Sequence, residues 1–331
     1  MSGISNIRKR NHTLDIFKAF AAFFIVFIHS KFPGTFGEVI ASVAQSGVLL
    51  FFMISGYYIY NAESKKIVKS IKHIVHLIVI AYVLNIIRMF IQAGFTFPVD
   101  TFKSILSVKH ILQFLVLNIS SISGVLWFML ALLYCYVIYY ILNKLKLTKL
   151  LYIVMPILLI VNLVIGDLLV HIGVSGFAGF VRNFFVTGIP FFALGNFIHH
   201  KYDKISASSL FKRNILLIIV FGGLTFSVLE ALLTQGCQYT VGNVVFAIGL
   251  FMISLYSPSV NNNALEFIGG KCCFWIYILH PIMIHIWNYI LCCIPDSTFV
   301  NWISPLCVLA MTVAVSVSIE LIKNKLVKKA K

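Results

Sequence analysis

Lys18 and His29 are two ionisable residues within the first long apolar stretch of the chain, residues 13–30. The stretch is about long enough to cross the hydrocarbon core of a bilayer as one helix. The two residues lie eleven positions apart, which places them on nearly the same helix face with roughly 16 Å of rise between them. A cation can hold a phosphate-bearing molecule, and an imidazole can accept a proton near neutral pH. Since ionisable groups are costly at membrane depth, the pair marks a candidate site that faces protein or water.

Each of the two residues also has an ordinary structural interpretation. Lys18 lies only a few residues inside the span, so its side chain can snorkel to the cytoplasmic headgroups. Asp15 is placed at i, i+3 to form a plain surface pair with Lys18. His29 taken alone is compatible with an interfacial histidine. The two residues together favour a site more than either does alone.

The composition indicates a polytopic membrane protein. Of the 331 residues, 60% are apolar and 11% are charged, whereas a soluble domain carries about 25% charged residues. The net charge of +16 does not indicate a nucleic-acid partner, because the Lys and Arg residues fall in short clusters between apolar spans. The partner that this composition implies is membrane lipid.

Ten apolar spans predict an all-α bundle of about ten transmembrane helices that forms a single domain over residues 1–331. The spans are expected at 13–31, 42–61, 73–93, 124–143, 149–170, 183–200, 214–233, 241–257, 268–291 and 302–322. When they alternate from an inside N-terminus, most Lys and Arg residues fall on the inner side, which predicts that both termini are cytoplasmic. No cysteine or histidine spacing indicates a metal site.

Five stretches resemble, in order, the motifs of the membrane-bound acyltransferase family 3. They are LDIFKAFAAFFIVFIH (14–29), GVLLFFMISGY (47–57), LWFML (126–130), RNFFVTGIPFFALG (182–195) and FWIYILHPIMI (274–284). Each motif is weak alone, but five in order over essentially the whole chain are specific. In the first motif Lys18 stands where the family usually has arginine, and a lysine cannot form the planar bidentate clamp of a guanidinium.

The resemblance implies an enzyme of a bacterial-type cytoplasmic membrane. Members of the family draw an acyl group, usually acetyl, from cytoplasmic acyl-CoA, which is a co-substrate rather than a bound cofactor. They pass it to a hydroxyl of an extracytoplasmic acceptor such as an envelope glycan or a small molecule. His29 would then be the general base on the acceptor hydroxyl. Lys18 would hold negative charge of the donor or keep His29 in its working state.

The basic segment 65–72 would meet the phosphates of the coenzyme at the cytoplasmic face. The residues expected there for donor binding are Lys66, Lys69 and Lys72. Taken alone, this segment is better explained as a loop whose positive charges set the orientation of the neighbouring helices in the membrane and contact anionic lipid.

Further candidates lie in the later motifs. Arg182 can clamp a carboxylate or stabilise an oxyanion, or it can contact a lipid headgroup. His280 precedes a proline inside a span, where a kink with a satisfied histidine is favoured over catalysis. Trp127 and Tyr277 can line an acceptor pocket, although aromatic residues near span ends are commonly interface anchors. Arg88 is expected to snorkel at the outer end of the third span.

A second resemblance keeps an alternative function open. RNFFVTGIPFFALG and FFMISGYY (51–58) are also similar to the membrane domain of VanT-type serine racemases from vancomycin resistance clusters. That resemblance implies uptake of L-serine or a similar small amino acid, whose carboxylate Arg182 or Lys18 would meet. Such a domain is joined to a racemase domain, or has one as a partner, and the 331 residues contain no lysine-bearing racemase domain.

Overall fold

The computed structural model describes residues 10–95, 99, 103, 105–174, 178–233 and 238–329, and these residues form helices and no β-strand. The helices in chain order are α1 (His12–His29), α2 (Gly34–Ala44), α3 (Ser46–Ile59), α4 (Ser64–Gln92), α5 (Val108–Leu117), α6 (Trp127–Lys144), α7 (Lys149–Leu163), α8 (Leu169–His171), α9 (Ala178–Val181), α10 (Ile189–His200), α11 (Tyr202–Ser206), α12 (Arg213–Leu233), α13 (Val241–Tyr256), α14 (Asn263–Phe267), α15 (Cys273–Leu291) and α16 (Thr298–Lys329). A 3₁₀ turn (Gly124–Leu126) and π-helical turns (Val164–Leu168, Phe184–Gly188 and Ile268–Cys272) join some of them.

The expected all-α polytopic membrane fold is confirmed. Within the described residues, eight helical segments are long and apolar enough to cross a membrane. They are His12–His29, Gly34–Ile59, Ser64–Gln92, Gly124–Lys144, Lys149–His171, Arg213–Leu233, Asn263–Leu291 and Thr298–Val327. The other two expected spans, 183–200 and 241–257, correspond to shorter segments, namely a π-helical turn that continues into α10, and α13. A count of ten therefore requires both shorter segments to be counted as spans.

The structure corrects one element boundary that concerns the candidate site. Residues 65–72 were expected to form a loop, but α4 begins at Ser64 and includes all of them. The physical reason is visible in the sequence, because Ile67, Ile71 and Ile74 recur at helical spacing and lysine is a good helix former. The basic residues are thus fixed on the first turns of a helix that continues across the membrane.

Helix α1 lies at the centre of the architecture. It packs against α2, α3, α13, α15 and α16, and against the π-helical turn before α15. Its first turn is capped by Asn11, whose side chain accepts a hydrogen bond from the backbone N–H of Leu14 and donates one to the carbonyl of Ser254. The contact with the π-helical turn is so close that a Cβ atom added at Gly269 would lie 1.7 Å from the carbonyl oxygen of Asp15. Only glycine permits this approach.

Candidate functional site

The imidazole rings of His29 and His280 stack at the C-terminal end of α1, which the sequence places on the outer side. Their centroids lie 5.2 Å apart with an angle of 29° between the planes. His29 is the last residue of α1 and is exposed, whereas His280 lies within α15 and is fully buried. Two helices that are far apart in the sequence therefore meet at a pair of imidazoles.

The hydrogen bonding of His280 fixes which ring nitrogen carries its proton. Its Nδ1 lies 3.2 Å from the carbonyl oxygen of Ile276, and because a carbonyl only accepts, Nδ1 must be the donor. In the neutral ring Nε2 is then an acceptor, and it is buried without a hydrogen-bond partner among the described residues. The hydrogen-bonding capacity of His280 was expected to be satisfied. It is satisfied at Nδ1 but not at Nε2 among the described residues.

His29 and His280 face an outer cavity of about 240 Å³. Its lining residues are His29, Arg88, Val125, His280, Pro281, Ile284, His285 and Asn288. One arginine and three histidines, carried by α1, α4 and α15, therefore surround one small space. The cavity is polar enough to hold the headgroup of a hydroxyl-bearing molecule beside His29.

Arg88, expected to snorkel at the outer end of the third span, lines this outer cavity and is partly buried. Its Nη2 donates to the carbonyl oxygen of Ile122 at 3.3 Å, and its Nη1 donates to Oε1 of Gln92 at 3.5 Å. Its Nε is buried without a partner among the described residues. The carbonyl of Ile122, in the segment that precedes the 3₁₀ turn, thus gives the guanidinium a contact with protein.

The sequence interpretation also missed His285 and Asn288. Both line the outer cavity with Pro281, from which they lie four and seven positions along α15. Residues at this spacing share one face of a helix. The signal was therefore present, since two polar residues follow the proline at helical spacing within an apolar span.

A narrow middle cavity of about 20 Å³ lies on the other side of His29. The structure brings the candidate residues His29, Trp127, Arg182 and Tyr277 together on its wall. Arg182 is half-buried, and its Nε donates to Oε1 of Gln238 at 2.7 Å. The remaining N–H groups of the guanidinium can meet a carbonyl or carboxylate in the cavity.

Trp127 and Tyr277 are buried and do not act as interface anchors. Their exposed fractions are 9% and 6%. The hydroxyl of Tyr277 donates to the carbonyl oxygen of Val125, and its ring packs against Phe128 with centroids 5.6 Å apart. Trp127 and Tyr277 thus form rigid walls of the middle cavity rather than contacts with lipid headgroups.

An inner cavity of about 270 Å³ continues from the middle cavity towards the N-terminal part of α4. Its lining residues are Ile25, Phe51, Ser55, Ser70, His73, Ile74, Leu77, Phe128, Met129, Leu132, Tyr136, Cys273, Phe274 and Tyr277. Ile25, Phe128 and Tyr277 also line the middle cavity. The inner, middle and outer cavities therefore adjoin one another in series, and His29 lies where the middle and outer cavities meet.

Two of the three lysines expected to bind the donor lie on the face of α4 that lines the inner cavity. Lys66 and Lys69 are exposed and lie four positions before Ser70 and His73, respectively. Residues at this spacing share a helix face, so both lysines continue the cavity-lining face of α4 towards its N-terminus. Lys72 is also exposed, but it lies two positions after Ser70 and thus on another face of α4.

Lys18 does not lie beside His29. Its Nζ pairs with Oδ1 of the buried Asp15 at 2.6 Å, and Oδ2 of the same carboxylate pairs with Nε of Arg10 at 2.6 Å. The hydrogen bond to Asp15 raises the pKa of the Arg10 guanidinium above its ordinary value. The i, i+3 pair expected between Asp15 and Lys18 is present, but its carboxylate is buried rather than at the surface. The carboxylate ties the first turns of α1 to the chain before it.

Within the described residues, no group of three or more His, Cys, Asp and Glu side chains is arranged to hold a metal ion. No curated protein and no solved structure matches the chain, so none of these comparisons supports the resemblance to the membrane domain of VanT-type serine racemases. An acyltransferase domain, in contrast, matches residues 11–321, which is nearly the whole chain. With its apolar helices and its linked cavities, the chain belongs to the membrane acyltransferase family that this domain defines, acyltransferase family 3.

Proposed function

We propose that the protein is an O-acyltransferase of the bacterial cytoplasmic membrane that moves an acyl group, in the first instance acetyl, from cytoplasmic acyl-CoA to a hydroxyl of an extracytoplasmic acceptor. The observation that carries this proposal is the series of adjoining cavities from the basic end of α4 to His29. Such a passage lets a donor and an acceptor approach one imidazole from opposite sides.

The inner cavity suits the donor. Lys66 and Lys69 on the cavity-lining face of α4 complement the phosphates of coenzyme A, and the almost entirely apolar wall of the cavity suits the thin pantetheine arm. The shared wall of Ile25, Phe128 and Tyr277 then directs the thioester towards the middle cavity. The clustering of Lys and Arg at this end of the bundle supports a cytoplasmic donor side.

His29 is the base in this proposal. It takes the proton of the acceptor hydroxyl, whose oxygen forms an ester bond to the acyl carbon while the carbon–sulfur bond breaks. The departing CoA thiolate keeps the electron pair and then receives the proton from the imidazolium. The products are an O-acyl ester and the free thiol of CoA, so atoms and charge balance.

Arg182 and His280 support this step from two sides. The guanidinium of Arg182 shares the middle cavity with His29 and can stabilise the negative charge that develops on the carbonyl oxygen. The buried ring of His280 stacks on His29 and restrains its orientation. Lys18 is engaged by Asp15, so we assign Lys18 to anchoring α1 rather than to contact with the acceptor.

Labelling of whole cells tests the proposal. Cells that express the full chain are fed labelled acetate, and base-labile O-acetyl ester is measured in the envelope fraction. We expect label above that of cells without the protein, and we expect its loss in His29→Ala. His76→Ala, which removes an exposed histidine of α4 outside the cavities, is the matched control.

Two results would contradict this proposal. The absence of envelope ester above background would refute the acyltransferase function. Normal labelling in His29→Ala, with the protein present at the wild-type level, would refute the assignment of His29 as the base.

A further inference from the structure

We propose that the acceptor is a lipid with an anionic headgroup, which enters sideways from the outer leaflet and lies in an apolar groove between α4 and α15 with its headgroup at Arg88. This inference deepens the proposed function and rests on it for the acyl-transfer chemistry. The observations that support the lipid-binding site do not depend on that chemistry.

The groove has a volume of about 860 Å³ and is formed by the outer halves of α4 and α15. Its apolar lining includes Ile87, Ile91 and Tyr289, whose exposed fractions are 48%, 53% and 78%. Helices α4 and α15 make few contacts with each other, so the groove opens sideways between them. Its volume is within the range of cavities that hold a small organic ligand, up to about 1,000 Å³, and it can take up a hydrocarbon chain.

The groove is continuous with the outer cavity. Arg88 and His285 line both spaces, whereas His29 lines the outer cavity but not the groove. A molecule whose chain fills the groove therefore has its headgroup at Arg88, next to the space that His29 faces. A hydroxyl on that headgroup is then presented to the proposed base without leaving the membrane surface.

The positive charge of Arg88, which lies where the groove meets the outer cavity, favours an anionic ligand. Arg88 has long contacts to a carbonyl and an amide oxygen, and its Nε is buried without a partner among the described residues. Among the described residues, no Asp or Glu lines the groove or the outer cavity. An uncompensated guanidinium at membrane depth is costly, and a phosphate or carboxylate would satisfy it with charge-assisted hydrogen bonds.

The charge of the headgroup also distinguishes the proposed lipid from the zwitterionic lipids of an ordinary bilayer. A zwitterionic lipid can fill the apolar groove as well as an anionic one, because the chains are alike. Both headgroups carry a phosphate, but the choline group of the zwitterionic lipid offsets part of the attraction, so an anionic headgroup gains more from Arg88. The proposal therefore predicts a preference set by headgroup charge, which a merely lipid-exposed groove would not show.

Native mass spectrometry of the full chain tests the inference. The protein is reconstituted with equal amounts of dioleoyl phosphatidylglycerol and dioleoyl phosphatidylcholine, without acetyl-CoA, and the retained lipids are counted. We expect the wild type to retain phosphatidylglycerol in about tenfold preference, as a charge-assisted hydrogen bond supplies. Arg88→Gln should reduce the ratio to nearly one.

A second pair of variants tests the groove without changing the charge. Ile87→Trp fills the groove and should lower the amount of retained phosphatidylglycerol. Ile157→Trp, at a lipid-facing position of α7 with an exposed fraction of 59%, should not. Equal retention of the two lipids by the wild type, an unchanged ratio in Arg88→Gln, or equal effects of the two tryptophan variants would each overturn the inference.

The outcomes separate the inference from the proposed function. Lipid preference without envelope ester formation would leave the lipid site standing and refute the acyltransferase function. Ester formation without lipid preference would refute the lipid site and leave an acceptor that reaches His29 from the aqueous side.

Discussion

The imidazole of His280 stacks on that of His29 at 5.2 Å, and its Nδ1 is held by the carbonyl of Ile276 one turn earlier on α15. Because His280 is fully buried and its Nδ1 donates to this carbonyl, packing and the carbonyl together determine where its ring lies. The ring of His29 is exposed at the end of α1. We therefore regard His280 as a positioning residue for His29.

Replacing His280 separates positioning from binding. In His280→Ala the stacking surface is lost, and we expect kcat to fall by about a hundredfold, the cost of a misplaced catalytic group. The KM for acetyl-CoA should stay unchanged, because the donor cavity contains no contact with His280. His280→Phe keeps a stacked ring and should recover much of kcat. A fall confined to KM, or no recovery in the phenylalanine variant, would contradict the positioning role.

The lysines of α4 provide a matched comparison for donor binding. Lys66 and Lys69 lie on the face of the inner cavity and Lys72 does not. We expect the double variant Lys66→Gln/Lys69→Gln to raise the KM for acetyl-CoA about fivefold at low salt, a magnitude typical of two exposed charge contacts. The difference from wild type should shrink as ionic strength rises.

Lys72→Gln is the control for this prediction. It removes the same charge from the same helix, so its KM should remain near the wild-type value if the cavity face is what matters. An equal increase in Lys72→Gln would indicate a general effect of surface charge and would contradict the placement of the donor phosphates at Lys66 and Lys69.

The sequence predicted the fold class well because the relevant information is local. Long apolar runs and the distribution of Lys and Arg identify spans from composition alone. The boundary of α4 was wrong because hydropathy falls at residue 72 while helical periodicity does not. A helix can leave the bilayer and continue in water, and mean hydropathy does not report this.

The site was predicted less completely because it depends on which side chains meet across helices. His29 stood out from its place in the first span, but its neighbours Arg88 and His285 lie on α4 and α15, and nothing in the chain order pairs these helices. Lys18 was equally conspicuous, and its partner Asp15 was visible at i, i+3. Helical spacing thus revealed the local pair and not the long-range cluster.

The carboxylate of Asp15 is expected to matter for stability. It is buried and binds both Lys18 and Arg10, so Asp15→Asn leaves two cations without their counter-ion. Since Arg10 is about half exposed, we expect a loss of about 1–3 kcal/mol, below that of a fully buried pair. Thermal unfolding in detergent measures the change.

An exposed pair serves as the control for Asp15. Lys31 and Glu38 form an ion pair in which both side chains are nearly half exposed, and Glu38→Gln should cost less than about 1 kcal/mol. If the two variants destabilise the protein equally, the carboxylate of Asp15 does not anchor α1 as the structure indicates.

The contact between α1 and the turn before α15 rests on Gly269. In Gly269→Ala the new Cβ would lie 1.7 Å from the carbonyl oxygen of Asp15, so the two segments must move apart. We expect a loss of about 1–3 kcal/mol in stability, as for other overpacked positions, and a lower kcat because α1 and α15 carry His29 and His280. At Gly222 of α12 an added Cβ meets no atom within 4 Å, so Gly222→Ala should preserve both stability and kcat. Equal unfolding temperatures for the two variants would show that the close approach of α1 to the turn is not required.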